Sequence, residues 1–486
     1  MKSTDGKGIR SPLRFLAAVA LLALPAVGWS ERLGLHVTTQ ELEIWRDRAE
    51  NGPYKTAGDV STNSPGDWDR ITRKAEEFLA DPDRERWGGQ TSGCWSPDGS
   101  PARPGRARGE WIRDAAFVSL VEDDSRYRDA VLKVLLAQAG DPGTDFSGPR
   151  WCNTAIGDAH SHEIAAYLTK LLYAYDYIRR GISADDRATL DAWFDDAANF
   201  WSAVVDTTVE KAFPNREEGD YTTSPHTQTC TIGTCVTHYD GWKFYNFHEY
   251  WNNRNAAQMN FAAAAAIVTD NPVVQARAKR YFKEWLRFAV FPDGTDTDFR
   301  RWTTDVPSLG WAYSGIMTGS MAVMADHFAR AGDPELYEYS TSEGFRDLTP
   351  AGGPKSLKNV IALHYRHVNG EVERYGTKDA SNAGKPAYRI NSVDPMGGYE
   401  WINDTFTVQA NVYLRDEFLR SIYTRTAANA PPYPAEPSTS GSEPFTGVWG
   451  TFPGVMLMFD TQGAVWPYDE RRSRPRPPAL LPPTPK

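Results

Sequence analysis

Between Phe247 and Gly315 the chain reads FHEYWNNRNAAQMNFAAAAA, then FRRW, then LGWAYSG. Asn252 and Asn253 fall at the start of an alanine-rich helical stretch. Amides are poor helix-interior residues, so they belong there either as caps or because the amide itself is needed. Arg254, Arg300 and Arg301 add cations, and Tyr313 adds a phenol ahead of the next apolar helix. This set suits one reaction in particular, removal of a proton beside a carboxylate that has first been neutralised.

A polymer of 1,4-linked uronic acids poses that problem. Breaking it without water means taking the C5 proton and expelling the C4 oxygen. The carbanion is tolerable only if donors face the carboxylate as charge develops. A base takes the proton and an acid protonates the leaving oxygen. A tyrosine can do both when a nearby cation lowers its pKa from ~10, and no metal or other cofactor is required. In this reading Tyr313 is base and acid. Asn253 with Arg254 neutralises the carboxylate, and Arg301 orients the site. Asn252, Arg300, Trp251, Trp311 and His162 are further expected substrate contacts, the two tryptophans by stacking on sugar rings or else as core residues.

The same residues resemble those of alginate lyases built on an (α/α) toroid. In that family an Asn-Asn-His run opens a helix, an Arg follows 48 residues after the second Asn, and a Tyr stands shortly beyond. Asn253 and Arg301 are 48 positions apart here. Tyr313 matches the family tyrosine after about five extra residues in the intervening loop. The likeness covers roughly residues 160–332. The family histidine is replaced by Arg254, which implies syn elimination, the geometry of polymannuronate and of glucuronan. His248, five positions before Asn253, is the residue expected to return a histidine to the site, with His238 as the alternative.

Other chemistries compete. An (α/α)-barrel glycoside hydrolase would need a carboxylate pair flanking the bond, for which Asp240 and Glu249 are candidates. The run Asp158, His160, His162, Glu163 is rich in metal-ligand types. It leads into a helix, however, where residues i and i+2 diverge rather than converge on an ion. A noncatalytic sugar-binding protein would keep the tryptophans and arginines but would not depend on Tyr313.

The elements that must position these residues read as helices. The expected spans are 39–50, 68–80, 110–121, 127–138, 163–180, a helix capped by Ser183, 249–269, 273–291 and 311–331. Helical segments are also expected at 356–366 and 406–423. VWGTFPGVMLMFD reads as one or two strands. The expected fold is mainly α, an (α/α) toroid of antiparallel hairpins over 29–460 with minor C-terminal β decoration. A Pro-rich tail over 461–486 follows. Residues 1–28 have the basic start and short apolar run of an export signal, which implies a periplasmic or secreted protein, off the membrane once the signal is cleaved.

A net charge of −10 excludes a uniformly basic surface, and with it a nucleic-acid partner. An acidic polysaccharide must then meet a local cluster of cations. The chain is expected to act as a monomer. Four cysteines, Cys94, Cys152, Cys230 and Cys235, suit two disulfides in an oxidising compartment. His226 and His238 beside the second pair leave a zinc site as the alternative.

Overall fold

The computed structural model describes residues 33–35, 37–51, 67–87, 109–147, 161–211, 213–221, 250–297, 307–344 and 353–368. Its elements are α1 (Thr39–Asn51), α2 (Asp67–Ala80), α3 (Glu110–Glu122), α4 (Ser125–Ala139), α5 (Ser161–Ile178), α6 (Ala184–Glu210), α7 (Asn253–Thr269), α8 (Pro272–Glu284), α9 (Pro307–Arg330) and α10 (Leu357–Val368). A single helical turn spans Glu335–Glu338. One short antiparallel pair, β1 (Ser340–Thr341) with β2 (Lys355–Ser356), sets Ser340 opposite Ser356.

Burial sorts the helices into two layers. A helix apolar on every side belongs inside, and one with a single apolar stripe belongs outside. In α7 the run Ala262–Ala266 is fully buried, and α3, α5 and α9 are buried along most of their lengths. These four contact one another in chain order, α3 with α5, α5 with α7, and α7 with α9. Outside them lie α4, α6 and α8, again touching in order. The described part is therefore mainly α, as expected, with the inner-and-outer alternation that an (α/α) toroid repeats. The alanines of α7 let three neighbours approach closely, and a larger side chain there would overpack the contact by about 1–3 kcal/mol.

Caps set the boundaries. Ser183 accepts from the Asp186 amide at the start of α6, and Asn271 accepts from Val273 and Val274 at the start of α8, with Pro272 in the first turn. Expected boundaries move in places. The helix expected over 273–291 ends as α-helix at Glu284 and continues as a π turn, Trp285–Ala289. That wider turn buries Trp285, Leu286, Phe288 and Ala289 while Arg287 stays half-exposed. The helix expected from Trp311 begins at Pro307, whose fixed φ suits a first turn. The expected helix 406–423, the C-terminal strands and the tail lie outside the described residues.

Polar ties lock the layers. Buried Arg216 donates to Asp206 of α6 at 2.6 Å and pairs with Glu284 of α8, and Tyr221 donates to the same glutamate at 2.8 Å. At the start of α3, Glu110 pairs with Lys170 at 3.2 Å and Lys74 at 3.5 Å. Burial opposes ionisation of Glu110, but the two lysines outweigh it and hold its pKa down, to about 2.

Candidate functional site

The residues expected to act on a carboxylate begin at the start of α7. Asn252 is its N-cap, and its side-chain oxygen accepts from the amides of Arg254 and Asn255, each at 2.9 Å. Asn253 is the first helical residue, not an interior one as a start at Glu249 would make it. Asn252 and Asn253 are both buried, and Arg254 is half-buried. The helix terminus is thus closed by its own cap. A ligand there would meet side chains and the positive end of the dipole, not those two amides. Asn255 fixes the approach by donating to the Tyr250 carbonyl at 3.0 Å, which also accepts from Tyr281 of α8 at 3.2 Å.

Of the two expectations for Trp251, sugar stacking and core packing, the structure shows the second. Trp251 is 1% exposed, and its ring lies 5.4 Å from Phe288, 5.9 Å from Phe213 and 6.0 Å from Tyr250. An aromatic side chain so enclosed has no face for a sugar. Trp251 is a core residue that anchors the start of α7.

The end of α8 returns towards the start of α7. α8 runs antiparallel to α7, since Gln275 meets the Ala266 carbonyl and Tyr281 meets that of Tyr250. Beyond the π turn, Val290 bridges to Asp296 around a tight turn. There Gly294 has φ +89°, and a Cβ on it would lie 2.8 Å from the Asn359 carbonyl of α10, so glycine is required on both counts. Asp296 is buried and accepts from the Ser314 hydroxyl at 3.0 Å. That bond joins the turn after α8 to the second turn of α9. Tyr313, next to Ser314, lies in the second turn of α9 at the end of the layer where α7 begins. Neither Asp296 nor Ser314 was singled out from sequence. An Asp in a T-D-T-D run and a Ser after a Tyr carry no signal until the turn brings them together.

Tyr313 and Trp311 are placed in α9 and His162 in the first turn of α5 by their backbone. His248, Arg300 and Arg301 lie outside the described residues. So do His238, Asp240, Glu249, Asp158, His160, His226 and the four cysteines.

Among the described residues, Asp206, Glu210 and Glu217 bring oxygens close enough for a shared cation. Asp206 already pairs with Arg216, Arg277 and Arg280, so this group is an ion network. At the start of α3, Glu85 accepts from the amides of Gly109 and Trp111. With Glu110 and Asp114 it faces Lys74, Lys170 and Arg113, three acids against three bases, all buried. That balance fits a structural role.

No family model and no curated protein sequence matches the chain. Among solved structures, that of an alginate lyase from Bacteroides ovatus aligns over 84% of this chain and 95% of its own, with a TM-score of 0.44 and 11% identity. A likeness of that size leaves the reading of the site to the residues themselves. No helix among the described residues is long and apolar enough to cross a membrane.

Proposed function

We propose that this chain is a polysaccharide lyase that cleaves a 1,4-linked uronic-acid polymer by β-elimination. The reading is supported by two ties: Tyr281 of α8 donates to the Tyr250 carbonyl just ahead of Asn253, and Ser314, the neighbour of Tyr313, donates to Asp296 just beyond α8. The asparagine amide and the Arg254 guanidinium neutralise the uronate carboxylate. The Tyr313 oxygen, ionised under the influence of the arginines, takes the C5 proton. The C5–H electrons form the C4–C5 double bond, the C4–O bond breaks, and the tyrosine returns the proton to the departing oxygen. One residue on one face of the sugar serves both steps, which fits syn elimination in polymannuronate or glucuronan. Arg301 and His248 act as positioning groups in the same reading. The protein is exported and works as a monomer on an acidic polysaccharide.

The test is ultraviolet absorbance during incubation of the mature protein with polymannuronate, polyguluronate and glucuronan, with and without chelator. Growth of the unsaturated-uronate band, unaffected by chelator, is the expected result, and the polymer that gives it names the substrate. New reducing ends without the band would overturn the reading in favour of hydrolysis.

A further inference from the structure

The outward side of α8 carries a feature that the elimination reading leaves unused. Lys279 and Lys283, one turn apart on α8, and Arg287 in the π turn that continues it line one side together. With Arg280, Tyr221, Tyr339 and Glu284, the last already paired with Arg216, they line a pocket of about 440 Å³, within the range that holds small ligands. The Arg287 guanidinium lies over the Tyr221 ring at 4.9 Å and the Phe288 ring at 5.0 Å, and the Lys283 ammonium lies 5.5 Å from the Tyr339 centroid. The body of the protein is acidic, and here four of its cations gather on one side, each held by an acid.

Three carboxylates already sit on that side. Asp333 pairs with Lys279, Glu335 pairs with Lys283 and lies 3.4 Å from the Lys279 nitrogen, and Glu343 pairs with Arg287 at 2.6 Å. Both glutamate side chains are well exposed, at 45% and 61%. They lie on the short segment after α9, so they can yield to a competing anion at little cost. Their positions show that a carboxylate fits between two ammonium groups, and that a second fits one turn further along the helix.

We infer that this pocket is a second binding site, for successive carboxylates of an acidic sugar chain, outside the eliminating centre. The Tyr221–Phe288–Trp251 aromatic cluster stands between it and the start of α7. The site holds the polymer and does no chemistry. The inference rests on the proposed function only for the identity of the anion.

The test is calorimetric titration of the full-length mature protein carrying Tyr313→Phe, with a mannuronate hexamer as probe. Lys283→Gln should weaken binding about three- to fivefold, and Glu335→Gln, which removes the internal competitor, should tighten it by a similar factor. A gain of affinity cannot come from misfolding. Both changes should fade at high salt, and a carboxyl-reduced hexamer should respond to neither variant. Affinity unmoved by both substitutions, or no binding of the hexamer, overturns the inference. The elimination assay on the unsubstituted protein separates the two readings. A band with hexamer binding indifferent to Lys283 and Glu335 keeps the lyase and removes the second site, whereas variant-sensitive binding without a band does the reverse.

Discussion

The start of α7 and the outward side of α8 face an anion with opposite means. At α7 the described groups are buried amides, a helix N-terminus already capped by Asn252, and the single cation Arg254. On the outward side of α8 and the π turn that continues it there are four cations, each half-exposed and each already matched to an acid. Neutral donors held in a low-dielectric setting gain most when charge grows on their partner, so they favour a transition state over a ground state. Exposed ammonium groups attract a carboxylate whether or not it reacts. The first arrangement suits rate and the second suits affinity, and mutations should separate them along that line.

The largest effect is expected at Tyr313. Tyr313→Phe should lower kcat by about 10²–10⁴, the range of a lost acid–base group, with an unchanged melting temperature. Substantial residual elimination would remove Tyr313 from the chemistry. Asn253→Ala follows at about 10²–10³ in kcat, the usual loss for one donor to a developing oxyanion. KM should move little, because the amide is called on only as charge develops. A drop in affinity with kcat preserved would make Asn253 an ordinary binding residue and erase the contrast with α8. Arg301→Ala should cost at least tenfold in kcat/KM, ~1.4 kcal/mol. Unchanged kinetics there would make its 48-residue spacing from Asn253 accidental.

How much of this was legible beforehand depended on the range of the interactions involved. Periodicity and capping act within a turn or two, so α2, α3, α4 and the Ser183 cap of α6 were readable from residues alone. The pairing of Asp296 with Ser314 was not, because it depends on a turn held against α10 by the close approach of Gly294 to Asn359. Trp251 was left between core and cleft for a similar reason. Its partners Phe213 and Phe288 lie 38 and 37 positions away, and nothing local distinguishes a core tryptophan from one on a cleft wall. The cation stripe of α8 was present as Lys279, Lys283 and Arg287, yet a charge row on an outer helix reads as solvated surface until a pocket forms beside it.

The smallest expected effect tests whether the two adjacent asparagines differ in kind. Asn252 spends its side-chain oxygen on the amides of Arg254 and Asn255, which Asp would do as well, with its charge favoured by the helix dipole. Asn252→Asp should therefore leave stability within about 0.5 kcal/mol, whereas Asn252→Ala should cost ~1 kcal/mol through loss of the cap. If a uronate carboxylate docks beside this helix start, the new negative charge should still repel it. At about 4 Å in water-like surroundings two unit charges differ by ~1 kcal/mol, so kcat/KM should fall about fivefold while the melting temperature holds. Wild-type kinetics for Asn252→Asp would place the carboxylate elsewhere. The neutralising role of Asn253 and Arg254 would then fall with it, and the start of α7 would be a structural cap.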